Sequence, residues 1–216
     1  MIVNERIVSY LHSLERSNGE LYDEIERMAH RTEVPIIRKE MESFLRVMIR
    51  MNAPKNILEL GTAIGYSALI MAEAMPPKCS ITTIENYAPR IPIARENILK
   101  SPYAARITLL EGEALDILKE LNRQKQTFEF VFIDAAKAQY SLYLEEILKM
   151  TAKGAVIISD NVLREGELIE SRFAIERRNR TIHSRMREYL YHIKNMKELE
   201  TTIVPIGDGI SVSVRK

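Results

Sequence analysis

Five short apolar runs punctuate the chain between residues 56 and 160, and each stops at a glycine or an acid. They are NILEL before Gly61, SITTIE ending at Glu85, RITLLEG ending at Gly112, FEFVFID ending at Asp134 and GAVIISD ending at Asp160. Helical stretches separate them. Continuous apolar runs of this length read as strands buried on both faces, and regular alternation with helices reads as a parallel sheet covered on both sides. Near the end, Gly207-Asp208-Gly209 separates two β-rich runs and reads as an antiparallel hairpin. The expected fold is therefore α/β, a mostly parallel seven-stranded sheet with a C-terminal antiparallel hairpin. Three amphipathic helical stretches precede it, at about 2–17, 20–31 and 36–51, and a long helical segment is expected at about 167–197. Pro89 suits the first turn of the helix after the second strand.

The length of 216 residues suits one such domain, 1–216, with residues 1–51 as a helical cap and 52–216 as the core. Lys and Arg number 31 against 30 Asp and Glu, so any preference for charged partners must come from local clustering. The opening MIVNERIVSYLHSLERSNGE is an amphipathic helix interrupted by charges, unlike the apolar core of a signal segment, and no run has the apolar length of a membrane span. Cys79 is the single cysteine, with packing or turn duty expected, and no Cys/His cluster suggests zinc, so a cytoplasmic location is expected.

In open parallel sheets, ligands gather at the carboxyl ends of the strands, around the point where strand order reverses. Gly61, Glu85, Gly112, Asp134 and the pair Asp160–Asn161 all fall at such ends. In ELGTAIGYS, residues 59–67, Gly61 and Gly65 allow a tight turn and close approach of a ligand. Their spacing is G-x-x-x-G, which argues against the G-x-G-x-x-G seat of a dinucleotide pyrophosphate. Glu85 suits the two hydroxyls of a ribose, and Gly112-Glu113-Ala114 would lie beside a nucleobase. Asp160 and Asn161, taken alone, read as an ordinary strand-ending turn.

The ordered set LELGTAIGYS, TTIE, EGEALDIL, FVFIDAAKAQY, ISDNVLREG and PIGDGISVSVRK resembles the class I S-adenosylmethionine-dependent methyltransferases. More narrowly, it resembles their cation-dependent O-methyltransferase family, which includes catechol and caffeoyl-coenzyme A methyltransferases. The resemblance runs from about residue 30 to the end and implies a Rossmann-like core. It assigns Glu59, Gly61 and Ser67 to the methionine end of the cofactor, Glu85 to its ribose, Gly112, Glu113 and Ala114 to the adenine side, and Ile37 to the mouth. Asp134, Asp160 and Asn161 become the ligands of Mg²⁺ or Mn²⁺, two carboxylates and an amide of the hard-oxygen type those ions take. Asp134 also lies by the sulfonium side. Lys137, three residues on, becomes the base for a hydroxyl whose ionisation the cation favours. Two departures stand out: Ile64 where threonine is frequent, and Ala136 where the family commonly carries an acid before the lysine.

Beyond the Asp160–Asn161 pair, REGELIESRFAIERRNRTIHSRMR carries Arg164, Arg172, Arg177, Arg178, Arg180, Arg185 and Arg187. Arginines beside the acceptor site suit phosphates better than a small aromatic, so RNA or a coenzyme A ester is the expected acceptor class. Within the family the chain resembles bacterial tRNA 5-hydroxyuridine methyltransferases, which implies tRNA as partner and a homodimer. A catechol or coenzyme A ester acceptor is the alternative. A non-catalytic RNA-binding protein on the same fold is a second one, though it would need none of Asp134, Lys137, Asp160 or Asn161.

Overall fold

In the computed structural model, which describes residues 3–216 apart from the Glu165 side chain, seven strands form one sheet. They are β1 (Asn56–Leu60), β2 (Ser80–Glu85), β3 (Ile107–Glu111), β4 (Phe130–Ile133), β5 (Val156–Ser159), β6 (Leu199–Val204) and β7 (Ile210–Arg215). Their order is β3-β2-β1-β4-β5-β7-β6. The first five pair in parallel, and β7 enters antiparallel between β5 and β6. Strand order reverses between β1 and β4, where Ile57 pairs with Phe130 and Leu60 with Ile133. The crevice between these two strands is where a ligand site is expected.

Side-chain alternation divides the core between the two faces. Phe130, Phe132 and Ile158 pack with α2 (Glu20–Thr32), α3 (Lys39–Asn52) and α4 (Tyr66–Ala74). Val131, Ile133 and Ile157 pack with α6 (Ala114–Arg123), α7 (Tyr140–Lys149) and α8 (Arg180–Asn195). α3 covers the outer side of α4, and eight of the nine α4 residues are buried, all but Glu73. Among the described residues no helix is long and apolar enough to cross a membrane. Cys79 is buried, which pushes its thiol up to about 11 and suits it to packing rather than nucleophilic chemistry.

Three local expectations are corrected. The first helix, α1, runs Glu5–Leu14, started by the Asn4 side chain accepting the Arg6 amide at 2.9 Å; Ile2 lies outside the described residues. α5 spans Ile91–Lys100, and Pro92 rather than Pro89 occupies its first turn. The long helix expected from residue 167 begins only at Arg180. Residues 164–169 and 177–179 make short 3₁₀ turns, with bends between them. The reason is that α8 has a continuous buried stripe, His183, Met186, Tyr189 and Ile193, whereas the residues before it do not. There Leu168 and Ile175 are buried but Ile169 and Phe173 are each 84% exposed, so a helix would gain little by forming.

Candidate active site

The loop from β1 to α4 is built around Gly61. Its φ is +96°, and a Cβ there would overlap the backbone carbonyl of Asp134. The absence of a side chain therefore lets the ends of β1 and β4 close on each other. The Gly61 and Thr62 amides donate to the Ile84 carbonyl at 3.0 and 3.1 Å, joining the loop to β2. Glu85 completes the tie: its carboxylate accepts the amides of Ala63 (2.7 Å), Asn86 (3.0 Å) and Tyr87 (2.8 Å).

Around these ends opens a cavity of about 650 Å³. On one side it is lined by Ile37, Gly61, Ser67, Glu85, Gly112 and Ala114, and on the other by Asp134, Lys137, Asp160 and Asn161. Glu113 does not line it and instead accepts from the Asn86 amide group at 2.8 Å. Glu59 does not line it either. It is fully buried, with Ser67 and Thr83 hydroxyls each donating to its carboxyl at 2.5 Å. Burial pushes Glu59 up to about 7, against the pull of those two donors. It stands behind Ser67, so its reach towards a ligand goes through that hydroxyl.

At the other side, Lys137 Nζ lies 2.5 Å from Asp134 Oδ1. Asp160 Oδ1 accepts the Asn161 amide at 2.6 Å, and Asn161 holds a left-handed backbone with φ of 55°. Burial, with the Asp134 charge next, holds the Asp160 carboxyl above the usual carboxylate range, and Lys137 opposes this. The buried Tyr140 hydroxyl lies 3.2 Å from the Ile133 carbonyl and 3.1 Å from that of Asp160, stapling the strand ends that carry the two acids. Asp134, Asp160 and Asn161 thus line the same cavity from the ends of β4 and β5.

The chain matches the O-methyltransferase family over residues 12–216. It belongs to that family. A catechol O-methyltransferase from Niastella koreensis is 34% identical over 128 residues, which span 59% of this chain and 58% of that protein's length. A caffeoyl-CoA O-methyltransferase from Citrus natsudaidai is 30% identical over 176 residues, 80% of this chain and 76% of that one. Among solved structures, the O-methyltransferase from Bacillus cereus, in complex with SAH, superposes with a TM-score of 0.87. It is 27% identical, covering 98% of this chain and 97% of that chain.

In this member of the family the arginines expected to meet a substrate divide into two groups. Arg164 pairs with Glu167 at 2.9 Å, Arg180 donates to the carbonyls of Ile175 and Phe173, and Arg185 donates to that of Ala138. Arg172, Arg177 and Arg178 are exposed, Arg178 beside Glu176 at 2.7 Å. None of the six lines the cavity. The structure adds lining residues that the sequence reading missed: Arg38, Tyr66, Arg90, Tyr143 and Asp208. Asp208 had a signal, since it sits in the Gly-Asp-Gly turn between two strands; Arg38 pairs with it at 3.3 Å across the mouth. Arg38 is the extended residue just before α3 and Tyr143 lies within α7, and nothing local in the sequence marks either.

Proposed function

We propose that this protein transfers the methyl group of S-adenosylmethionine to oxygen with the help of a divalent cation, Mg²⁺ or Mn²⁺, and that its acceptor is 5-hydroxyuridine at the wobble position of tRNA. The observation that carries the reading is a single cavity joining the glycine loop and Glu85 to Asp134, Lys137, Asp160 and Asn161.

The cavity has the size for a nucleoside cofactor with an acceptor base beside it. Gly61 and Glu85 both line this cavity, which supports backbone access for the amino-acid part of the cofactor at Gly61 and a carboxylate for its ribose at Glu85. The acidic side fits a cation by its own electrostatics. Asp134 and Asp160 act on each other there, Lys137 opposes them and Asp208 adds a further negative charge, while Asn161 in the same lining can offer a neutral amide oxygen. Asp134, Asp160 and Asn161 would hold the ion. When bound, such a cation lowers the pKa of a hydroxyl and fixes its oxygen in line with a sulfonium methyl. Lys137, held by Asp134, is the side chain placed to move the acceptor's proton. Tyr140 keeps both acids in register.

Exposed Arg172, Arg177 and Arg178 beyond the acceptor side support RNA, as their charge suits a phosphate backbone. The relatives named for catechol and caffeoyl-CoA favour a small-molecule acceptor as the second reading. Exposed Ile7, Tyr10 and Leu14 on α1 support pairing with a second copy. The test is label transfer from S-adenosylmethionine to tRNA lacking the methyl group, with a catechol and caffeoyl-CoA in parallel. The expected result is labelled tRNA, lost in excess chelator and restored by Mg²⁺. Label only in a small molecule would move the assignment to the second reading, and full activity in chelator would remove the cation.

A further inference from the structure

Between the buried anchors Leu168 and Ile175, the chain pushes one aromatic ring into solvent. Phe173 is 84% exposed although its backbone is held on both sides. Its amide donates to the Ser171 hydroxyl at 3.4 Å, and the next amide, of Ala174, donates to the Ser171 carbonyl at 2.9 Å. Its carbonyl accepts from Arg180 Nη2 at 3.3 Å, while Arg180 Nε donates to the Ile175 carbonyl at 3.0 Å. The turn that presents the ring is therefore built, with an arginine spent on holding it. A large apolar side chain fixed in water costs hydration with no packing in return, which marks a contact surface when charged groups rim it.

The rim here is cationic. Arg172 precedes the ring, and Arg177 and Arg178 follow it in the next 3₁₀ turn, all exposed. Acidic neighbours are Glu170 and Glu176, and only Glu176 engages one of these arginines, Arg178. The segment is also coupled to the acceptor side. It leaves the strand end at Asn161, and Arg185 of the following helix donates to the carbonyl of Ala138, next to Lys137.

We propose that Phe173 is a stacking platform for an unpaired base of an RNA whose phosphates meet Arg172 and Arg177. The assignment rests on the RNA reading given above and adds a site to it, outside the cavity. Every base offers a π-face, so an aromatic ring interleaved with arginines is the chemistry of single-strand binding. A duplex, whose bases are already stacked, does not satisfy it.

The chain contains no tryptophan, so Phe173→Trp installs a single indole whose fluorescence reports stacking. Titrated with oligouridylate, this variant should show saturable quenching, with none from inorganic phosphate and much less from a fully paired RNA of equal length. Phe173→Ala should weaken oligouridylate binding about 10-fold and leave the slope of log affinity against log salt unchanged. Arg172→Gln should instead lower that slope by about 0.7, the single-strand value for one lost phosphate contact. Unchanged affinity in Phe173→Ala, with RNA still bound, refutes the platform and leaves the RNA reading standing. Wild-type protein that binds no RNA removes both. Indole quenching that rises with protein concentration alone assigns the ring to a second copy of the chain and also overturns the proposal.

Discussion

At the cofactor end of the cavity, Gly61 and Glu85 leave β1 and β2, strands paired on both sides. Beyond the acceptor end, residues 164–179 contain neither strand nor α-helix and are held by two buried anchors and arginine side chains donating to carbonyls. The first arrangement fixes backbone position through the ladder and leaves no space to adjust it. The second fixes a turn through side chains and leaves its surface free to vary. Chemistry that needs set distances belongs on the first, and recognition of a variable partner on the second.

Two glycines with positive φ test this contrast most severely. Gly61 and Gly166 have φ of +96° and +91°, so alanine is strained at both. At Gly61 the new methyl overlaps the Asp134 backbone, whereas at Gly166 nothing beyond its chain neighbours stands within 4 Å among the described residues. Gly61→Ala should cost on the order of 4 kcal/mol, strain plus overpacking, and Gly166→Ala about 1 kcal/mol. Urea midpoints measure both. Equal losses would erase the distinction between the two regions.

A second substitution separates chemistry from binding. Asp160→Ala should lower kcat for methyl transfer by at least about 100-fold, more than loss of a residue supporting a metal ligand costs. Equilibrium binding of S-adenosylmethionine should persist, because Asp160 follows β5, separated by β4 from the β1 end that carries Gly61. Parallel loss of cofactor affinity would show that the two sides are not separable.

A third concerns Glu59, buried behind the cofactor loop and raised to about 7 mainly by burial. Its folded value lies above its unfolded one, so the folded state keeps a proton that the unfolded state releases. The stabilisation is complete below about 4.5 and is lost as pH rises to about 7. Glu59→Gln should remove that slope, on the order of 3 kcal/mol between the two limits. Unfolding free energies of both proteins across this range give the difference. Identical pH slopes would mean that Glu59 is charged throughout.

The sheet was legible because a strand buried on both faces has to be apolar, and VFI and VIIS offer no other reading once flanked by glycines and acids. Asp134 and Asp160 were legible for the same reason: a parallel sheet puts strand-ending residues on one rim, however distant they are in sequence. What escaped was set by partners outside the local pattern. Glu59 was expected to face the cofactor, but strand alternation points it at Ser67 and Thr83, which bury it. Residues 167–179 were expected to be part of one long helix, but with Ile169 and Phe173 exposed they have no buried apolar stripe to support it. Arg180 reads in the sequence as one more phosphate-binding arginine, but its guanidinium donates to the carbonyls of Ile175 and Phe173.

Those bonds set the smallest difference to be measured. Arg177 is exposed and its side chain makes no hydrogen bond or ion pair among the described residues, while the Arg180 side chain, three positions on, donates to two carbonyls. Arg177→Gln should leave stability within about 0.5 kcal/mol, as for a surface change away from packing. It should lower the salt slope of single-stranded RNA binding by about 0.7, one phosphate contact. Arg180→Gln should cost about 1 kcal/mol of stability through its lost backbone hydrogen bonds. It should weaken RNA binding without changing the salt slope, because it acts by letting the Phe173 turn relax rather than by touching phosphate. Thermal unfolding and binding titrations at several salt concentrations separate the two. An equal fall in slope for both variants would make Arg180 a phosphate ligand after all, and the turn would then owe its shape to Ser171 and the buried Leu168 and Ile175 alone.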